Sequence, residues 1–258
     1  MSKKNLNKIT DFMNINQSQL SNDYDKWHEV VHGNEDHSQT NLSSWHKEAL
    51  SLSPSLEGLN VLEVGCGVGD FALYLTDLQA QVTAVDFSHQ AIEIAKKKSI
   101  AQKKNVDFRV ADAQSLPFED NSFDLLLSCE CLEHVPDPQI ALNEFKRVLK
   151  PQGKLVLTTE NYSNAMLLYW ISCWLRKKPF NSGAGIQPIE HFFLFWRVKR
   201  MFKSAGFQVQ RMVGSHHVFL LLPKLHPQTF VVEKFTNLLI AQLFKPFARH
   251  VAFDAIKK

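Results

Sequence analysis

The sequence predicts an α/β fold built on a doubly wound parallel sheet. Three observations carry that expectation. Short apolar runs bounded by turn residues recur at 59–64, 81–86, 106–110 and 125–129. Helical apolar spacing fills the intervals. The links are short, as right-handed strand–helix–strand crossovers require.

One turn organises the rest. The strand Leu59–Val64 runs at once into Gly65-Cys66-Gly67-Val68-Gly69-Asp70, and Phe71-Ala72-Leu73-Tyr74-Leu75 then opens a helix. Glycines let the backbone bend and let a ligand approach with no Cβ in the way. The helix start offers free N–H groups and a positive dipole end. Together these point to a nucleotide-like cofactor. The next strand, Gln81–Val85, ends in Asp86, placed to grip a ribose. A helix begins at Ser88, a good N-cap, and runs to about Lys103. A third strand, Val106–Val110, leads into Ala111-Asp112-Ala113. A fourth, Leu125–Cys129, leads into Glu130-Cys131-Leu132-Glu133-His134-Val135. Asp137-Pro138 caps a helix with Ile140, Ala141, Phe145, Val148 and Leu149 on one face, and Lys154–Glu160 is the fifth strand.

The set Glu63, Gly65, Gly67, Gly69 and Asp86 resembles the cofactor motif of class I S-adenosylmethionine-dependent methyltransferases. It is most similar to the methyltransferase type 11 branch, with its ubiquinone, menaquinone and sterol methyltransferases. "LPF…FD" at 116–124 and "LKPQGKLVL" at 149–157 match that branch's wording, with Gln152 where a glycine is usual. The resemblance covers 59 to about 160. It implies a Rossmann-like seven-stranded sheet, last strand antiparallel, with extra helices on the substrate side. It implies S-adenosylmethionine lying over the ends of strands one, two and four. Cofactor contacts then fall to Glu63, Gly65, Cys66, Gly67, Gly69, Asp86, Phe87, Asp112, Ala113 and Cys129, with Asp112 on the adenine. Tyr24 and Trp27 would form part of a lid. His134 is the first candidate for a general base, because imidazole titrates near neutrality, and His191 is the second.

The chain reads as one methyltransferase domain: a helical cap at 1–58, a cofactor core at 59–160 and a substrate-side region at 161–258. Four cysteines show no secretory disulfide pattern, and Met1–Asn5 has no apolar signal segment, so a cytoplasmic setting is expected. Cys129-x-Cys131 and the cluster His28, His32 and His37 lack metal-ligand surroundings, and no metal is expected. Net charge is +3, but residues 151–258 carry 15 Lys+Arg against 4 Asp+Glu, together with 12 of the 19 Phe. Basic residues interleaved with Phe and Leu argue against nucleic acid and for a lipophilic acceptor.

Residues 165–175 are apolar and are followed by Arg176-Lys177-Lys178. Eleven residues are too few to span a bilayer but suit an interfacial helix. Residues 224–249 suit an amphipathic helix. Peripheral membrane contact through 165–178 and 224–249 is therefore expected, with a homodimer as a further expectation. Gln208–Val213 should be strand six and His250–Ile256 strand seven. The expected reaction is methyl transfer to a small hydrophobic acceptor: quinone precursor, isoprenoid, sterol or lipid. The alternatives are a methyltransferase of a sugar or other polar metabolite and a non-catalytic cofactor-binding or membrane-scaffold subunit. An NAD-dependent dehydrogenase is disfavoured by the G-x-G-x-G spacing.

Overall fold

The computed structural model describes residues 16–32, 40, 42–163, 165–177, 188–218, 231–232, 246 and 248–258. The strands are β1 (Asn60–Val64), β2 (Gln81–Asp86), β3 (Asp107–Val110), β4 (Phe123–Cys129), β5 (Leu149–Glu160), β6 (Phe207–Val218), β7 (Val231–Val232) and β8 (Ala248–Lys257). Their order is β3-β2-β1-β4-β5-β8-β6-β7. Pairing is parallel from β3 through β5. The last strand, β8, lies antiparallel between β5 and β6. The expected seven strands are all present.

The two-residue β7 is an addition, pairing with His217 and Val218 at the outer end of β6. It corrects the helix expected across 224–249: Val231-Val232 is a strand, as β-branched residues beside an open sheet edge favour. The chain is a strand again from Ala248. Residues 224–230, 233–245 and 247, Lys178, His37 and the glycine turn expected at 181–185 lie outside the described residues.

The helices are α1 (Gln17–His32), α2 (Ser44–Leu52), α3 (Asp70–Asp77), α4 (His89–Gln102), α5 (Pro138–Val148), α6 (Ala165–Leu175) and α7 (Phe195–Ser204), with a 3-10 turn at Leu132–His134. Local chemistry sets their starts. The Ser88 hydroxyl accepts from the Ala91 N–H at 3.0 Å, and the Asp137 carboxylate accepts from Gln139 and Ile140. Ser43 caps α2, and the His46 ring accepts from the Ser43 N–H at 3.2 Å.

The sheet separates two apolar layers, as alternation along its strands demands. Val61, Leu125 and Leu127 pack toward Phe71, Ile92 and Ala95 of α3 and α4. Leu62 and Leu126 pack toward Phe145 and Phe202 of α5 and α7. Lys98 is fully buried, yet its Nζ meets both Asp70 oxygens at 3.1 Å, which ties α4 to the first turn of α3. Everything at the carboxyl ends of β1, β2 and β4 is thereby held by rigid elements.

Candidate active site

A cavity of about 320 Å³ opens at those carboxyl ends, with α1 lying across it. Its floor is the turn after β1. Gly65 and Cys66 donate their N–H groups to the Val85 carbonyl, at 2.8 and 3.0 Å. Asp86 braces the same turn: Oδ2 accepts from the Gly67 N–H at 2.8 Å, and Oδ1 from the Ser88 N–H at 2.9 Å.

Two glycines have steric reasons to be there. Gly65 has φ +78°, and a Cβ on it would meet Cys131 Cβ and Sγ at 2.5 Å. Gly69 has φ +83°, and a Cβ would meet Ala95 Cβ and the Phe108 ring at 2.8 Å. Both conformations favour glycine. The two have different surroundings, however. Gly65 borders the cavity, whereas Gly69 is not in its wall and seats α3 on α4 and β3. Glu63 also stays behind the wall. It is buried, with Oε2 lacking a partner, and burial then the Asp86 charge push its carboxyl well above the usual range.

Cys66, Gly67, Asp86, Phe87, Asp112, Ala113 and Cys129 all border the cavity. Asp112 makes an Asx turn, Oδ1 accepting from the Gln114 N–H at 2.8 Å, while Oδ2 accepts from the Gln17 amide of α1 at 3.1 Å. Burial holds the Cys66 and Cys129 thiols protonated, far above their ordinary range.

The helix α1 is fastened over the site at its start and in its middle. Gln17 holds Asp112. Tyr24 donates to the His134 carbonyl at 3.3 Å and stands edge-on to Phe87. Asp25 accepts from the Ser88 hydroxyl at 2.6 Å and from the Gln90 N–H at 3.1 Å. Tyr24 and Trp27 both line the cavity, as a lid would place them.

The two candidate bases part company. His134 lies in the cavity wall, and its Nδ1 meets the Ile189 carbonyl at 2.7 Å. A carbonyl only accepts, so Nδ1 carries the proton and Nε2 of the neutral ring keeps its lone pair. His191 is outside the wall. Its Nε2 lies 2.8 Å from the Val135 carbonyl and its N–H donates to the Glu133 carbonyl at 2.7 Å. Its ring stacks on Phe193, and burial pulls its pKa down. His191 is a staple between 188–194 and the turn after β4, which corrects its reading as a base. Packing of that loop against the turn, invisible in spacing, is the reason.

A second polar centre borders the cavity that the sequence reading did not assemble. Glu130, with φ +48°, directly follows β4 and lines the wall. Its Oε2 is 3.2 Å from His250 Nδ1, and its Oε1 is buried without a partner. Burial, then the nearby Glu160 charge, raises the Glu130 pKa to about 8, while burial lowers that of His250. Both shifts favour a carboxylic acid hydrogen-bonded to a neutral imidazole. Glu133 behind them accepts from the Thr159 hydroxyl at 2.9 Å and is also raised to about 8, chiefly by burial. Trp45 of α2 stacks on the His250 ring at 5.7 Å. Glu130 was quoted in the strand-four segment; His250 and Trp45 arrive from 120 and 85 positions away, with no local signal.

A nucleotide-type floor, an aromatic lid, an imidazole with a free lone pair and a buried carboxyl pair make up a small-molecule site at the carboxyl ends of an α/β sheet. A family model described as a methyltransferase domain matches residues 62–157. A demethylmenaquinone methyltransferase of Lactococcus lactis is 33% identical over 180 residues, covering 66% of this chain and 68% of the relative. A ubiquinone biosynthesis O-methyltransferase of Xanthomonas euvesicatoria is 40% identical over 174 residues, covering 65% and 70%. For a demethylmenaquinone methyltransferase of Staphylococcus aureus the match is 40% over 115 residues, 43% and 47%. The chain thus spans about half the length of some of these relatives and about two thirds of others.

Among solved structures, the [4+2]-cyclase SpnF superposes with a TM-score of 0.64 at 20% identity, covering 93% of this chain and 96% of that one. An S-adenosylmethionine-dependent methyltransferase from Aquifex aeolicus gives 0.59 at 20%, covering 91% and 98%. The chain belongs to the class I S-adenosylmethionine-dependent methyltransferases, in the branch of the menaquinone and ubiquinone methyltransferases. The cyclase neighbour shares the fold alone.

Proposed function

We propose that the chain methylates a small hydrophobic acceptor with a hydroxyl proton to lose, a quinone precursor before an isoprenoid, sterol or lipid. One observation carries the reading: a single aromatic-walled cavity joins the glycine turn to His134 and the Glu130–His250 pair. The names of the relatives, both quinone methyltransferases, support it.

The residues present fit S-adenosylmethionine. Asp86 would accept from ribose hydroxyls and Asp112 from an adenine amino group, and Gly65 and Gly67 would leave room for the amino-acid end. When bound, that cofactor supplies an electrophilic methyl on a sulfonium. The chain's own work is then to orient, to exclude water and to move a proton. Tyr24, Trp27 and Trp45 present aromatic faces, which favour a sulfonium charge and an apolar acceptor. His134 Nε2 would take the acceptor's hydroxyl proton as the oxygen–methyl bond forms and the sulfur–methyl bond breaks, so no oxyanion is left to desolvate. Alignment for in-line attack supplies much of the remaining rate.

The helix α6 supports a membrane-surface setting. Ser172 and Cys173 face inward, while Trp170, Ile171, Trp174 and Leu175 are exposed beside exposed Arg176 and Lys177. Tryptophans at headgroup depth with cations against lipid phosphates would hold the cavity near a lipophilic acceptor. Among the described residues no helix is long and apolar enough to cross a membrane.

The test is turnover of S-adenosylmethionine with a prenylated dihydroxy-aromatic acceptor, a sterol and a sugar, with and without anionic vesicles. The expected result is methylation of the aromatic hydroxyl, with kcat down by about a hundredfold in His134→Ala. Turnover on the sugar alone, or undiminished turnover in His134→Ala, would reject the acceptor or the base respectively.

A further inference from the structure

We propose that His28 of α1, with His46 of α2, holds the carboxylate of the cofactor's amino-acid end. This rests on the cofactor reading above and assigns the anion subsite within it.

A carboxylate brought into a cavity needs donors, since burying it unpaired is costly. Among the described residues no Lys or Arg lines this cavity. Of the backbone donors of the floor, Gly65 and Cys66 are committed to the Val85 carbonyl and Gly67 to Asp86, which leaves the first N–H groups of α3 to share the load with side chains. Three polar side chains of the rim are committed as well, Tyr24 to the His134 carbonyl, Gln17 to Asp112 and His134 Nδ1 to Ile189.

His28 has the opposite status. It is only 6% exposed, lines the cavity, and its Nδ1 is buried with no partner. A buried imidazole nitrogen left unmatched is a cost that folding alone does not explain. Its Cε1 lies 3.7 Å from where a Cβ on Gly67 would be, directly over the turn that on the reading above would receive the cofactor's amino-acid end. Trp27 and His32 flank the ring on α1, at centroid distances of 4.8 and 5.5 Å, and fix its orientation.

His46 complements it. Its Nδ1 accepts from the Ser43 N–H, so the neutral ring carries its proton on Nε2. The ring is stacked on Phe71, in the first turn of α3, at 4.5 Å. Burial lowers both imidazoles, His46 to about 4. His28 is also acted on by Asp86 of β2 and Asp25 of α1, which favour its charged form, and by His32, which opposes it. An entering carboxylate adds a negative charge at short range and favours donation from both rings.

Calorimetry on the full chain at pH 7 tests this, using S-adenosylmethionine and decarboxylated S-adenosylmethionine, which differ only in the carboxylate. In wild type the carboxylate-bearing ligand should bind more tightly. His28→Ala should weaken it by about tenfold, as loss of a charge-assisted hydrogen bond does. The decarboxylated ligand should be unchanged. His28→Gln, a neutral donor of similar reach, should fall between and carries the comparison if the alanine variant melts early. Equal weakening of both ligands, or none, overturns the assignment. Wild type that binds neither ligand would instead end the cofactor reading on which it rests.

Discussion

The two ends of the cavity are built by opposite means. At the glycine-turn end the backbone is matched: the Gly65, Cys66 and Gly67 N–H groups all have acceptors. At the far end carboxyls are buried against one another. Glu130 and Glu133 are pushed to about 8, and Glu130 keeps an unmatched oxygen on a left-handed backbone. The first arrangement gives a rigid, pre-shaped floor. The second keeps carboxyls protonated through neutral pH, a pattern common at functional sites. A floor is made locally, by one turn. A buried carboxyl cluster needs groups from β4, β5 and β8 brought together by the whole sheet.

The glycine-turn end breaks with the largest effect. Gly69→Ala forces a left-handed alanine and drives its Cβ to 2.8 Å from Ala95 and Phe108, both in the core. Backbone strain and overpacking together should cost about 3 kcal/mol, visible as a lower urea midpoint with unchanged slope. A loss below about 1 kcal/mol would mean that α4 yields easily and that the turn is softer than its geometry shows.

The far end gives way to pH. Glu130 has a folded pKa of about 8, above its unfolded value, so the folded chain keeps a proton that the unfolded chain releases. Its contribution is fully present below about pH 4.5 and is lost as pH rises toward 8. Glu130→Gln removes that dependence. The melting temperature of the variant should therefore gain on wild type steadily between about pH 5 and pH 8. The histidines act in the other direction: His46 and His250, both lowered, destabilise the fold as pH falls below their unfolded value. A wild-type-minus-variant difference that stays flat with pH would show Glu130 ionised and the far end no different from an ordinary surface.

The same contrast decides what could be read in advance. The floor was legible because its requirements are short-range: a strand, a glycine turn, a cap at Ser88 and an acid at Asp86 all announce themselves within thirty residues. The alternation of strand and helix likewise gave the parallel half of the sheet. His134 was visible by its place after β4. Gly69 was read as a cofactor contact because spacing cannot tell a glycine that admits a ligand from one that admits a neighbouring helix. His191 was misplaced because its partner, the Val135 carbonyl, is a backbone group 56 positions away. The pairing of Glu130 with His250 depends on β8 being inserted next to β5, with Glu160 opposite His250 in register. The β7 strand escaped because two valines carry no periodicity.

The smallest effect lies at Gln152, where the family's wording has glycine. The substitution looked inert in the sequence. In the fold Gln152 has φ +64°, in the irregular start of β5 between its pairings at Leu149 and Lys154. A left-handed non-glycine residue costs about 1–2 kcal/mol in the folded state. Glycine would remove that strain but add freedom to the unfolded chain, worth about 0.4–1 kcal/mol in the other direction. The side chain is exposed, so no packing is lost. Gln152→Gly should therefore stabilise by about 0.5–1 kcal/mol, with cofactor affinity unchanged because the turn lies at the opposite end of the strands from the cavity. A stabilisation that came with altered affinity would mean that the two ends of β5 are coupled, and that the rigid floor extends through the sheet to its far edge.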